Sequence, residues 1–197
     1  MMALTQQDLL SYAEYEKERA TFRQRIIALK KRRRIAAGDL ITLVFENRET
    51  VLFQIQEMIR TERIFDPEKI QEEIAVYNSL LPGSNELSAT LFIEITDAER
   101  IQELLDSFQE LDRPGTVAIQ LGEETIEAEF EAGHSKEDKI SAVHFIRFKT
   151  TPDFRHQLGY SEIPCHLVVS HPHYHANVDV PASLREELLK DLDIPGR

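Results

Sequence analysis

The sequence has 197 residues, 42% of them hydrophobic, and a net charge of −12. This length suits a single domain over residues 1–197 with a sizeable core. We expect no membrane span, because no apolar run approaches the thickness of a bilayer. We expect no signal peptide either, because the N-terminus has neither a basic segment nor an apolar core. Cys165 is the only cysteine, which excludes an intrachain disulfide framework and favours a cytoplasmic location.

The charge is unevenly distributed along the chain. Residues 17–34 contain nine basic residues and one acid, so this segment carries +8 and the remainder carries −20. Such a division allows two interpretations. The basic segment lies against the acidic body of its own chain or of a second copy, or it is presented to an anionic partner.

Residues 1–37 are predicted to form an N-terminal helical pair. The first helix has the spacing of an N-cap at Thr5 and Asp8, and the second has an apolar edge that includes Ile26. The second helix ends in a run of cations, which suits the negative end of a helix dipole. Residues 38–197 are predicted to form an α+β body.

Residues 40–64 form the predicted packing centre: a buried strand, a polar corner and an amphipathic helix. Amides beside guanidinium groups at such a junction can hold a carboxylate or a phosphate. The favoured alternative is that these groups satisfy buried backbone groups and join neighbouring helices. The candidate ligand- or partner-binding residues are Asn47, which can also cap the helix, Arg48, Gln56, Glu57 and Arg60.

The rest of the chain shows mainly strand patterns joined by turns or single helices. The predicted strands after the first lie near residues 86–95, 117–121, 126–130, 141–149, 165–170 and 174–180. We find no Gly-rich phosphate loop and no internal repeat. The predicted fold class is α+β, with a mainly antiparallel sheet of six or seven strands, helices packed on one side, and the N-terminal helical pair.

Three histidines beside a predicted hairpin turn form a candidate metal site: His171, His173 and His175. Imidazole is a ligand for transition metals such as zinc and iron. Pro172 and the turn break the simple alternation of the three side chains. A polar hairpin tip is therefore the favoured alternative.

Three other places have a structural explanation as their default. Cys165 alternates with apolar neighbours, so we predict a buried thiol and not a nucleophile. His144 lies among apolar residues on its strand and is predicted to be a hydrogen-bonded core histidine. The connector over residues 134–139 is rich in ionisable groups and is a candidate functional loop, with a solvated loop as the alternative.

Four stretches, together with the basic helix, form a specific combination. They are residues 45–48, 53–60, 86–95 and 137–143. In this combination the chain resembles, over nearly its whole length, the bacterial family catalogued as domain of unknown function 3501. The resemblance implies gene neighbours that encode rubrerythrin-like proteins and iron–sulfur oxidoreductases, and hence a link to oxygen defence or electron transfer. It implies no catalytic residue.

The leading hypothesis is an accessory or binding protein of a redox system, with a redox protein as its partner and no cofactor of its own. We expect it to self-associate as a homo-oligomer through its basic helix and acidic body. The alternative is a metal-binding protein or metal-dependent enzyme that uses the C-terminal histidines. Nucleic-acid binding through the basic helix is the weakest hypothesis, because no aromatic residues alternate with the cations as a stacking platform.

Overall fold

The computed structural model describes residues 2–131 and 140–193, which form an α+β fold. Its helices are α1 Tyr12–Arg32, α2 Arg48–Glu62, α3 Pro67–Asn78, α4 Ile101–Asp106, α5 Pro152–Leu158 and α6 Ala182–Asp191. Its strands are β1 Arg34–Ala37, β2 Ile41–Glu46, β3 Glu86–Ile93, β4 Val117–Leu121, β5 Glu124–Phe130, β6 Val143–Lys149, β7 Cys165–His171 and β8 Tyr174–Asp179. Within these residues, no helix is both long and apolar enough to cross a bilayer.

The described strands form one antiparallel sheet in the order β1-β2-β3-β6-β5-β4-β7-β8. The sheet curls until its two edge strands approach each other. Tyr174 links the edges, because its hydroxyl donates to the Ala37 carbonyl at 2.5 Å and accepts from the Leu40 amide at 3.1 Å. Gly38 has a φ of +72°, and a Cβ at this position would collide with the Tyr174 hydroxyl. A glycine is therefore required where the edges meet.

The larger core fills the inside of the curled sheet. Alternate residues of the strands point inward, and two helices close the interior with Phe154 and Leu158 from α5 and Leu184 and Leu188 from α6. All four side chains are fully buried. Each buried side chain of this size contributes roughly 1.5–3 kcal/mol through the hydrophobic effect.

A smaller core lies on the outer face of the sheet, beneath α2 and α3. It contains Val51, Ile55 and Ile59 from α2, Ile74 from α3, and Leu4 from the N-terminal segment. These residues recur on α2 at spacings of four, which gives the helix one apolar stripe. The polar side of α2 is consequently left to face α1, α6 and the N-terminus.

The α+β class and the antiparallel sheet are confirmed, but three details of the predicted fold are wrong. The described residues contain eight strands, because Arg34–Ala37 forms β1 immediately after the basic run. The N-terminal pair is one helix, α1, preceded by a single 3₁₀ turn that ends where Leu9 adopts an extended backbone. Helices pack against both faces of the sheet, because a curled sheet has an interior that α5 and α6 must close.

Candidate functional site

The predicted site residues lie at two opposite ends of α2. Asn47 and Arg48 begin the helix, next to the C-terminal ends of α1 and α6. Gln56, Glu57 and Arg60 lie two to three turns further on, facing the N-terminal segment and α1. The structure therefore does not bring the five residues into one site.

A cavity of about 360 Å³ lies at the first end of α2, between α1 and α6. We call it the charged cavity, because six of the eight residues that line it carry ionisable groups. It is lined by Leu29, Arg32, Asn47, Arg48, Glu49, Glu187, Lys190 and Asp191.

Arg33 is a fully buried cation beneath the charged cavity. Its guanidinium donates to the Phe45 carbonyl at 2.7 Å and to the Glu46 carbonyl at 3.1 Å. It also donates to Glu187 at 3.3 Å and to Asp191 at 3.2 Å, and Asp191 receives a second hydrogen bond from it. Arg33 thus joins β2 to α6, and its partners compensate a charge that would otherwise be costly to bury.

The two carboxylates that hold Arg33 have pKa values shifted in opposite directions. Burial raises the pKa of Asp191 above its ordinary value, although the charge of Arg33 opposes this shift. Burial also acts to raise the pKa of Glu187, but hydrogen bonds from Lys190 and Arg32 outweigh it and the pKa is lowered. These bonds measure 2.9 Å and 3.1 Å. Glu187 is therefore held ionised, whereas Asp191 binds a proton more readily than an exposed aspartate.

The accessible charges around the charged cavity are mostly positive. The side chains of Arg32, Arg48 and Lys190 are 50%, 37% and 66% exposed, whereas those of the two acids that hold the buried arginine are each 5% exposed. Glu49 is exposed, but it lies 3.5 Å from Arg25. A group that enters the cavity meets guanidinium and ammonium groups first, which suits a carboxylate or a phosphate.

At the other end of α2, Glu57 fastens α1 to α2. Its carboxylate accepts hydrogen bonds from the Arg19 guanidinium at 2.7 and 2.8 Å and from the Tyr15 hydroxyl at 2.8 Å. The hydrogen bond from Arg19 is the main reason that the pKa of Glu57 falls to about 2, with Tyr15 adding to the effect. Arg60 lies 3.4 Å from Glu57 and 3.7 Å from Glu16.

Gln56 holds the N-terminal arm, residues 2–11, across α2 and α3. Its amide accepts from the Leu10 N–H at 2.7 Å and donates to the Leu10 carbonyl at 3.4 Å. Asn78 on α3 brackets Leu4 in the same way, with both hydrogen bonds at 2.9 Å. Each amide therefore satisfies the main-chain N–H and C=O of one arm residue.

All five predicted residues have partners within their own chain. Arg48 lies 2.6 Å from Asp8 of the N-terminal arm. Asn47 caps α2 by accepting from the Thr50 N–H at 3.0 Å, which confirms its predicted capping role. Of the five, only Asn47 and Arg48 line the charged cavity.

The basic segment lies largely against the acidic body of its own chain. Five of its nine cations form ion pairs with acids of the body: Arg19, Arg25, Arg32, Arg33 and Arg34. The other four make no ion pair within the described part of the chain: Lys17, Arg23, Lys30 and Lys31.

The ring centroids of His171 and His173 lie 5.9 Å apart, but the three C-terminal histidines do not converge on one point. His171 is buried, and its Nε2 lies 2.8 Å from the Gln109 carbonyl oxygen. His173 lies in the exposed turn, and His175 lies on the exposed side of β8, where alternate residues face opposite sides of the sheet. Over residues 2–131 and 140–193, no group of three or more His, Cys, Asp or Glu is placed to hold a metal ion.

The predicted burial of two further residues is confirmed. Cys165 is 6% exposed, and burial raises the pKa of its thiol to about 11. His144 is buried, with its Nε2 2.7 Å from the Ser141 carbonyl oxygen. The candidate loop at residues 134–139 lies outside the described residues.

Sequence reasoning missed the buried part of the site: Arg33, Glu187 and Asp191. Arg33 is one of five consecutive cations, and nothing in the sequence distinguishes it from its neighbours. The acids do leave a signal, because Glu187 and Asp191 follow Leu184 at spacings of three and seven on α6 and so share its buried face. Two acids on the apolar face of a helix indicate a buried cation as their partner.

Comparisons with known proteins place this chain in a family. It is similar to a novel protein of unknown function from Burkholderia pseudomallei K96243, whose crystal structure superposes with a TM-score of 0.89 at 32% sequence identity. That match covers 98% of this chain and 100% of the other. No curated protein matches. Residues 3–192 match the family described as protein of unknown function DUF3501, and the chain therefore belongs to the DUF3501 family.

Proposed function

We propose that this protein is a cytoplasmic accessory protein that binds a partner in a redox system and is not itself a thiol redox catalyst. The observation that carries this proposal is the state of Cys165, which is buried and whose pKa is raised to about 11. Thiol redox chemistry requires an accessible thiolate. The proposal therefore assigns the redox centre to a partner, and the gene neighbours implied by the family resemblance suggest a di-iron or iron–sulfur protein.

The charged cavity is the proposed contact for that partner. Arg32, Arg48 and Lys190 are exposed at its edge. Buried Glu187 balances Arg32 and Lys190, and Asp8, whose side chain is 27% exposed, balances Arg48. An acidic side chain of the partner would lie between these cations and replace their contact with water by charge-assisted hydrogen bonds. Buried Arg33 bonds to both α6 and β2 beneath the cavity and so fixes their relative position. The edge of the charged cavity is therefore preorganised.

Affinity capture from the native host tests this proposal. Tagged full-length protein is compared with K190E, which reverses an exposed charge at the cavity, and with K69E, which reverses an exposed charge on α3. We expect the wild type, K69E and C165A to recover the same redox protein, identified by mass spectrometry and by its iron content. We expect K190E to recover at least about fivefold less, as for the loss of one or two charge-assisted contacts.

Three results would overturn parts of the proposal. Recovery of no iron-containing protein by the wild type would contradict the redox association. Equal recovery of the redox protein by K190E and K69E would show that the charged cavity is not the contact for the partner. If C165A melts at the wild-type temperature but no longer recovers the redox protein, the Cys165 thiol is required for binding, which would contradict the proposal.

A further inference from the structure

The outward side of α1 is cationic along its C-terminal half. Ile27 lies at its centre and is 42% exposed, and Arg23 and Lys31 lie four residues before and after it. Neither cation makes an ion pair within the described residues, and the sequence contains no acid between Arg19 and Arg34. We call this surface the cationic face and define it by Ala20, Arg23, Gln24, Ile27 and Lys31.

The outer side of β5 is acidic and concave. A groove of about 560 Å³ lies there, and we call it the acidic groove. Residues that line it include Asp112, Pro114, Glu127, Glu129, Phe130 and Lys149. Lys149 lies 2.7 Å from Glu129, whereas Asp112 and Glu127 make no ion pair with any described residue.

We propose that the cationic face of one copy of this chain packs into the acidic groove of a second copy. The two surfaces have opposite charge, and each also offers apolar area, from Ile27 on one and from exposed Pro114 on the other. Pairing the cationic faces of two copies with each other would oppose like charges, which disfavours that arrangement.

The position of the two surfaces decides the form of the assembly. The cationic face belongs to the helix layer that packs over β2 and β3, whereas the acidic groove lies on β5. Two strands separate β2 from β5 in the sheet, so the two surfaces of one chain cannot meet. A contact between different surfaces is heterologous, and copies then add head to tail.

The contact is expected to be weak and sensitive to salt. An exposed ion pair changes an association constant by a factor of up to about five. The net charge of −12 opposes association, although at physiological salt this repulsion is screened beyond about 8 Å. Self-association should therefore increase with protein concentration and decrease between about 50 mM and about 500 mM salt.

Sedimentation velocity of the purified full-length protein over a range of concentrations tests the proposal. We expect the average mass to rise above that of one chain for the wild type. The cationic-face variant R23E/K31E and the acidic-groove variant D112K/E127K should each associate at least about tenfold more weakly. An equimolar mixture of the two variants should associate again, because every contact between unlike copies then joins opposite charges.

The mixture experiment is the decisive part, because damage to the fold cannot produce a rescue. The matched control R63E/K69E reverses two exposed cations away from both surfaces and should behave as the wild type. The milder variant R23Q/K31Q replaces the reversal if R23E/K31E does not fold. A wild type that remains monomeric at all concentrations, a mixture that remains monomeric, or a variant that associates as the wild type does would each overturn the proposal.

This inference is independent of the proposed redox partner. R23E/K31E leaves every residue of the charged cavity unchanged and should still recover the redox protein. K190E leaves the cationic face and the acidic groove unchanged and should still self-associate. Failure of one proposal is therefore distinguishable from failure of the other.

Discussion

The two ends of α2 use the same chemistry, arginine against carboxylate, in different environments. Around Glu57 the groups are partly exposed, and hydrogen bonds from Arg19 and Tyr15 outweigh the cost of burial. Around Arg33 the groups are buried, and for Asp191 the cost of burial outweighs the attraction of the arginine. The same pairing thus lowers one carboxyl pKa to about 2 and leaves the other above its ordinary value.

One end of α2 fastens two helices together, whereas the other end is a candidate binding site. The Glu57 end satisfies its charges with α1. The cavity of about 440 Å³ near this end of α2 is lined mainly by apolar side chains, and Glu57 is not among the residues that line it. The Arg33 end also satisfies its buried charges, but it leaves exposed cations around a cavity of about 360 Å³. Polar residues that hold the fold together and polar residues that can meet a partner therefore lie on one helix, two to three turns apart.

The largest expected effect on the free energy of unfolding is at the Arg33 end of α2. R33M should destabilise the protein by about 3–5 kcal/mol, because it leaves Glu187 and Asp191 buried without their shared cation. R32M, at a half-exposed position bonded to the same glutamate, should cost less than about 1 kcal/mol. Urea unfolding at neutral pH measures both. A cost below 1 kcal/mol for R33M would show that the buried cluster is not a structural requirement.

The next-largest expected effect on stability is at the Glu57 end of α2, and it depends on pH. The folded pKa of Glu57 is about 2, below the ordinary 4.5, so its contribution is fully present above pH 4.5 and is lost as the pH falls through 2. E57Q should be about 2 kcal/mol less stable than the wild type at neutral pH, with the difference decreasing from about pH 5 to pH 2. Unfolding curves at several pH values measure this. A difference that does not change with pH would contradict the assignment.

A smaller effect is expected where the N-terminal arm meets α3. N78A removes two hydrogen bonds to the main chain of Leu4 and should cost about 1–2 kcal/mol. Amide hydrogen exchange of Leu4 should become about tenfold faster, while Leu10, which Gln56 holds, should change less. Equal acceleration at Leu4 and Leu10 would show that the arm opens as one unit.

The smallest effect is the most direct test of the comparison itself. D191N removes the carboxylate that accepts two hydrogen bonds from buried Arg33, so it should destabilise the protein at neutral pH. The smallest effect is the change of this difference with pH, because burial raises the pKa of Asp191. A folded pKa above the unfolded one means that the wild type gains stability relative to D191N as the pH falls toward the ordinary value of 3.8. The opposite slope in unfolding experiments would contradict the direction of the shift.

The sequence predicts features that depend on neighbours along the chain. Asn47 precedes an apolar helix stripe and caps it, and Pro67 follows Asp66 at the start of α3, as these residue types favour. In strand β3 apolar residues recur at every second position from Leu87 to Ile93, and these inward residues are buried. In each case the physical cause lies within a few residues, so the sequence pattern contains it.

Features that depend on distant residues were not predictable in this way. Arg33 meets Glu187 and Asp191 more than 150 residues away, and only the curling of the sheet brings α6 beside β2. Strand β1 has four residues, two of them alanine, and forms because β2 follows it and supplies the pairing. The polar face predicted for α2 is present in the structure. The role of each of its side chains depends on the neighbouring element that the side chain contacts.

Hydrogen exchange of the full-length protein, with and without the captured redox partner, tests the central claim most directly. The partner should slow exchange in residues 48–50 and 187–191, which include five of the residues that line the charged cavity, and leave residues 56–60 unchanged. Protection of residues 56–60, with none at the charged cavity, would contradict this claim and would assign the contact to the other end of α2.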